Sequence, residues 1–407
     1  MEVLSPVGSF AALSAAFQAN ADAVYFGLGA LNMRAKAAVN FAVNDLAQIM
    51  AQCREHNVKA YLALNTVVFD GELGEISSIL NEAVICGVDA IIASDIAVIT
   101  EARKRGLAVH LSTQCNVTNI EAVRFYAQFA DVIVLARELS LKQIANITQQ
   151  IADENICGAS GLPVKIEIFV HGAFCMATSG KCYLSLDNFN KSANRGSCLQ
   201  LCRRPYLLTE IDGDVQIEVD REYLMSPKDL KTIDFLDKIK EAGVSVLKIE
   251  GRGRSADYVK TVTHIYKEAV QSLANGTYNS ERIEQWNKEL ATVYNRGFWN
   301  GYYLGKNIGE WTKQYGSKAT TQKTYIGKIT NYFTNIGVAE VKIEAGVLHK
   351  GDNYIVIGNT TGVYEDVLNE VRLDLKPVDM VKQGDLCSIP TKELLRRGDK
   401  LYLVEDL

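Results

Sequence analysis

Residues 165–206 read KIEIFVHGAFCMATSGKCYLSLDNFNKSANRGSCLQLCRRPY. The first eight form a strand-like run that closes on His171-Gly172, and the rest carry Cys175, Cys182, Cys198 and Cys202, four of the nine cysteines. The chain begins Met1-Glu2-Val3-Leu4, with no basic segment and no apolar segment of a secretory signal. Thiols gathered this closely in such a chain point to soft-metal chemistry rather than to disulfides. Their spacing, C-x6-C-x15-C-x3-C, matches neither paired CxxC knuckles nor a ferredoxin run. Spacing alone leaves a metal or iron–sulfur site and scattered free thiols equally open.

Outward from this stretch, strand-like and helix-like segments alternate over the first 275 residues. The strand-like runs are 3–5, 23–27, 59–65, 90–94, 108–113, 132–136, 165–172 and 246–251. The helix-like runs are 10–19, 41–56, 71–86, 96–105, 120–129, 141–154, 226–242 and 255–273. Eight βα units in one α/β domain predict a TIM-like (β/α)8 barrel, with an open doubly wound sheet as the alternative. The barrel domain is expected over residues 1–308, with a cysteine-bearing insert at 173–225 where a few residues normally suffice. A further helix is expected at 281–294, and the aromatic run 298–303 suits packing of the barrel rim better than base stacking. Residues 309–324 read as a linker. Residues 325–407 are short alternating segments separated by HKGD, GNTTG, KQGD and RRGD turns, which predicts a small all-β barrel of Greek-key type.

In a parallel barrel the chemistry sits at the C-terminal ends of the strands. Here those ends are polar, among them Asn65-Thr66, Arg137-Glu138, His171-Gly172 and Glu250-Gly251-Arg252. Strand parity puts Glu167, Phe169 and His171 on one side of strand seven, and Lys248 and Glu250 on one side of strand eight. If that side is the lumen, a Glu167–Lys248 ion pair lies beneath a rim of His171, Glu250 and Arg252. The candidate catalytic residues are therefore His171, Lys248, Glu250 and Arg252. Arg252 and Arg254, beside Gly251 and Gly253, suit an anionic ligand. The competing reading is a satisfied buried polar layer without catalytic duty, with Arg252 tied to Glu138.

The 407 residues are 48% hydrophobic and 22% charged, an ordinary globular composition. No apolar run approaches the roughly 20 residues that span a bilayer, so the expectation is a cytoplasmic protein without a membrane partner. A net charge of −5 argues against a generic nucleic-acid coat protein but leaves room for a local basic patch. No HExxH, GxSxG or P-loop motif is present, so a peptidase has no recognisable nucleophile–base pair.

The motif FVHGAFC-x6-C-YLS followed by NRGSC-x3-C-RRPY resembles the hallmark of the collagenase-like peptidase family of unknown catalytic type, whose members include RNA hydroxylation proteins. LMSPKDLKTIDFLDKIKEAGVSVLKIEGRGRSADYV, residues 224–259, is similar to the family's second block. Weaker similarity at the N-terminus and at NRGFWNGYYLG extends the resemblance over about the first 305 residues. The resemblance implies prephenate-dependent hydroxylation of the tRNA wobble uridine to 5-hydroxyuridine. It also implies an iron–sulfur cluster, of the 4Fe–4S type, held by Cys175, Cys182, Cys198 and Cys202. Lys248, Arg252 and Arg254 would then meet the carboxylates of prephenate, and Arg195, Arg203 and Arg204 the phosphates of tRNA. A family paralogue or a second copy of the chain is a further possible partner. One departure stands out: relatives often carry a fifth cysteine where this chain has Lys231, so either Cys202 or a non-cysteine group completes the ligand set. The rival readings are a true collagenase-like peptidase and a non-catalytic scaffold holding structural zinc.

Overall fold

The computed structural model describes residues 1–35, 40–204, 206–211, 216–219, 226–305, 310–312 and 316–407. The strands Glu2–Pro6, Ala23–Gly27, Lys59–Leu64, Ala90–Ala93, Val109–Leu111, Val132–Val134, Lys165–Gly172 and Val246–Ile249 pair side by side in chain order, all parallel. The eighth pairs with both the seventh and the first, closing the (β/α)8 barrel that the alternating segments predict. Apolar residues cover both faces of the strands, as a parallel sheet wrapped by helices requires. Local chemistry sets the helix ends. Ser9 accepts from Ala12 N to start Phe10–Gln18, Ser140 and Gln143 form a capping box on Leu141–Asp153, and Gly87 ends Leu73–Cys86 in a left-handed conformation.

Two departures from the sequence reading bear on the site. The helix expected over 226–242 is a three-residue strand, Asp229–Lys231, followed by a 3-10 turn and the short helix Leu236–Glu241. The strand runs antiparallel to the end of strand seven (Leu230 opposite Gly172, Lys231 opposite His171) and parallel to Phe298–Trp299. These ladder bonds outweigh the local helical pattern. The second departure is a β-bulge. Lys248 lies opposite Phe169 and Ile249 opposite His171, so Val170 is an extra residue in strand seven. An extra residue reverses the facing of everything beyond it. Glu167 and Phe169 therefore face the lumen, whereas His171 faces outward.

The C-terminal region is all-β, with its own core of Ile326, Val341, Ile343, Tyr354, Val356, Val371, Ile389 and Leu401. Its strands make an eight-stranded antiparallel sheet and a separate two-stranded ribbon. The first strand, Thr321–Phe333, starts inside the stretch expected to be a linker. Residues 306–309 and 313–315, which carry the expected domain boundary and part of that linker, lie outside the described residues. The sheet packs on the outside of the barrel: Ile355 and Val363 meet Ala15 and Ala256 of helices Phe10–Gln18 and Ala256–Asn275. Gln18 both donates to Thr361 O and accepts from Val363 N, at 3.0 Å each. No helix among the described residues is long and apolar enough to cross a membrane.

Candidate active site at the barrel mouth

The insert leaves strand seven through Gly172 at φ +100°, where a Cβ would sit 2.4 Å from Glu250 O. Only glycine fits that exit. The chain then forms a short helix, Leu184–Phe189, two 3-10 turns and a hairpin, Tyr206–Thr209 with Gln216–Val219. Gly196, also at positive φ, seats the insert on the loop after strand two, where a Cβ would come 2.2 Å from Asn32 O. The insert thereby becomes a roof over the barrel mouth, and between them lies a cavity of about 260 Å³.

The roof contributes Cys175, Cys182, Cys198 and Cys202 to the cavity wall, all as free thiols. Burial pushes the Cys202 thiol up to about 11; Arg203 pulls it down, while Cys175, Cys198 and Cys182 push it further up. Four sulfur donors along one wall match in number and chemistry what an iron–sulfur cluster or a structural zinc takes. Among the described residues, however, no three His, Cys, Asp or Glu side chains stand close enough together to hold a metal as they are. Lys231, where the resemblance leads to the expectation of a fifth cysteine, pairs with Asp234 at 3.0 Å and does not line the cavity.

The floor comes from the strands. Lys248 Nζ donates to Glu167 Oε1 at 2.6 Å with both side chains buried, which is the ion pair that strand parity predicts. Burial pushes the Glu167 carboxyl up, and the ammonium pulls against it. His110 lies 4.0 Å from the other Glu167 oxygen and is held down at about 3, first by burial and then by the nearby Lys248. At the rim, Arg34 grips Glu250 through Nε at 3.0 Å and Nη2 at 2.6 Å. Burial raises the Glu250 carboxyl, but Arg34, Arg137 and Arg252 together outweigh it and hold the group at about 2.

Arg252 is 5% exposed and donates from Nη1 to Asn32 Oδ1 at 3.1 Å, not to Glu138. Its Nε has no partner among the described residues, and neither has the buried Nε of Arg137. The Arg137 guanidinium lies 3.9 Å above the Phe169 ring. Gly27 makes room for this arrangement, since a Cβ there would come 2.7 Å from Arg252 Nη1. Among the described residues, Arg34, Arg137, Arg203, Lys248, Arg252, Arg254 and Arg296 line the cavity against one carboxylate, Glu250. A site so charged, with unfilled guanidinium donors, suits a small polyanion.

The structure separates the sequence candidates. Lys248, Glu250, Arg252 and Arg254 share the cavity with the four cysteines. His171 does not: the bulge turns it outward, 1% exposed, among Tyr258, Tyr266 and Phe298, and burial holds it at about 3. Arg203 is tied to Ser226 Oγ, Pro227 O and Phe174 O at 2.9–3.2 Å, so it braces the roof and is not free to meet a phosphate. Arg195 is engaged with Glu72, while Arg204 is exposed beside Phe189. Trp299 and Tyr303 of the aromatic run are buried, and Trp299 packs on Phe174 where the roof begins. The sequence reading missed Arg34 and Asn32. Their signal was a long loop after strand two carrying an arginine, on the same face as every other strand end.

A closed parallel barrel with a thiol-bearing roof over an arginine-rich mouth defines the class of the protein. The chain belongs to peptidase family U32, which it matches over residues 8–313. It is 52% identical over 401 residues to a Porphyromonas gingivalis protein named collagenase, covering 98% of this chain and 97% of that one. It is 30% identical over 413 residues to tRNA hydroxylation protein P1 of Bacillus subtilis, covering 98% and 94%. It is also 34% identical over 274 residues to the 23S rRNA 5-hydroxycytidine C2501 synthase of Escherichia coli, covering 67% of this chain and 40% of that one. The family thus carries names for two unlike activities, RNA hydroxylation and proteolysis.

Proposed function

We propose that the protein is a cytoplasmic RNA hydroxylase that converts the wobble uridine of tRNA to 5-hydroxyuridine and uses prephenate as co-substrate. The observation that carries this reading is the shared cavity: four thiols on its roof and six cations on its floor and rim face the same space, with Arg203 of the roof beside them. Cys175, Cys182, Cys198 and Cys202 would hold an iron–sulfur cluster, closing in as the metal binds, because ligation and local folding are coupled. When bound, the cluster would supply the redox chemistry that amino-acid side chains lack. Arg252, Arg137 and Arg254 would orient the two carboxylates of prephenate. Glu250, held ionised by Arg34, fixes the rim, and the Lys248–Glu167 pair fixes the floor. A pyrimidine reaches such an enclosed cavity only when unstacked, which an anticodon-loop nucleotide does at small cost.

The name of the Porphyromonas gingivalis relative favours a peptidase as the second reading. Among the described residues that line the cavity there is no histidine, so neither Ser112, Ser179 nor any of the cysteines has an imidazole base there. Nucleoside mass spectrometry of tRNA from a deletion strain tests the main reading. 5-Hydroxyuridine and its derivatives should disappear and return with the wild-type gene. An Arg252→Met gene should restore less than a hundredth of the modification while its product stays folded. Unchanged nucleosides in the deletion strain, together with gelatin cleavage by the purified protein, would replace this reading with the peptidase.

A further inference from the structure

The wall formed by residues 184–198 has two faces. Leu184, Ala193 and Cys198 look into the cavity, whereas Lys191, Ser192 and Asn194 look into a second depression of about 930 Å³ behind it. That volume lies in the upper part of the range of about 300–1,000 Å³ typical of ligand sites. The loop after strand two divides in the same way, with Met33 and Arg34 toward the cavity and Ala30 and Leu31 toward the depression. The two spaces are neighbours across one thin wall.

The depression contains an aromatic platform. Phe69 is 59% exposed, and the guanidinium of Arg195 lies 4.2 Å from its ring centroid. Arg195 is fixed there, donating to Glu72 Oε2 at 2.8 Å and to Val67 O at 3.0 Å. Thr66, 1% exposed, also lines this space, and its hydroxyl has no partner among the described residues. An unfilled buried hydroxyl calls for a polar ligand.

We propose that this depression is the docking site for nucleotides flanking the target base of a single-stranded RNA loop. The proposal rests on the RNA-hydroxylase reading above. A base stacks on the open face of Phe69, whose other face Arg195 holds; its edge meets the Thr66 hydroxyl and the Asn194 amide; Lys191 meets its phosphate. The charges lining the depression, Lys191 and Arg195 against Glu72 and Glu75, cancel. Binding here is therefore driven by stacking, whereas salt-sensitive attraction comes from cations elsewhere, such as Arg204. Loop RNA fits better than an acidic peptide for the same reason: the platform is aromatic and the net charge is nil.

The test measures binding of a fluorescent anticodon stem-loop RNA, with an unmodified wobble uridine, to the full-length protein across a salt series. Phe69→Ala should weaken binding roughly 5- to 150-fold, the range for one stacked base, and leave the slope of log K against log salt unchanged. Phe69→Trp should retain affinity. Phe333→Ala, which removes an aromatic ring 41% exposed on the distant sheet, should change nothing. Wild-type affinity in a folded Phe69→Ala protein overturns the proposal while leaving the RNA-hydroxylase reading intact. So does a loss accompanied by a flatter salt slope. A wild-type protein that binds gelatin peptides through Phe69 and binds no stem-loop RNA overturns both.

Discussion

The floor and the roof of the cavity are built on opposite terms. The floor hangs on barrel strands whose residues are mostly fully buried, and its central polar contact, Lys248–Glu167, is isolated from water. The roof is made of short turns and a six-residue helix, its thiols are exposed or half-buried, and it is anchored by Gly196 on Asn32, by Arg203 on backbone carbonyls and by Arg195 on Glu72. The difference teaches where stability and chemistry are held apart. Floor groups are costly to disturb because a charge is left stranded in low dielectric. Roof groups are more exposed, so changes there should cost the fold less.

Glu167→Ala presses hardest on this contrast. Removing one partner of a buried pair leaves the Lys248 ammonium uncompensated, so unfolding stability should fall by about 3–5 kcal/mol. Cys182→Ser on the roof should cost less than about 1 kcal/mol in the metal-free protein. Urea unfolding of both variants checks the pair. Equal losses would mean that roof and floor fold as one unit.

Acid supplies a smaller effect. His110 on the floor and His171 on the outer side of strand seven are buried and held at about 3, below the ordinary value of about 6.5. The unfolded chain takes up these protons near pH 6.5 while the folded chain refuses them until about pH 3. The stability they contribute is whole above pH 6.5 and is lost as pH falls through that window, by about 1.4 kcal/mol per pH unit for each histidine. His171→Phe, which suits the cage of Tyr258, Tyr266 and Phe298, should remove one histidine's share of the slope between pH 6 and 4.5. Glu250, held at about 2, adds its own loss only below the ordinary carboxylate range. An unchanged slope in His171→Phe would place the acid sensitivity elsewhere.

The barrel was legible in the sequence because each strand is a short apolar run followed by a helical period, and closure needs only the count. The Lys248–Glu167 pair was legible for the same reason, since strand parity carries over any undistorted stretch. His171 was misread because a bulge is decided by pairing between strands seven and eight, and neither sequence shows the extra residue. The strand at Asp229–Lys231 was misread because its ladder partners, Gly172 and His171 on one side and Phe298 and Trp299 on the other, are too distant in the chain for any local pattern to show. The roof's cysteines announced themselves by type and clustering. That Arg203 would turn inward while Arg204 stays exposed depends on the carbonyls of Phe174 and Pro227, which spacing cannot reveal.

The central claim is that roof thiols and rim arginines form one site. Visible absorption of the anaerobically reconstituted protein, recorded while prephenate is added, tests it directly. Wild-type protein should show the broad visible bands of an iron–sulfur cluster, and prephenate should shift them. Cys182→Ser and Cys198→Ser should lose the bands, and Arg252→Met should keep them but lose the shift. Bands that survive both cysteine changes, or a colourless zinc-loaded protein indifferent to prephenate, would contradict the account.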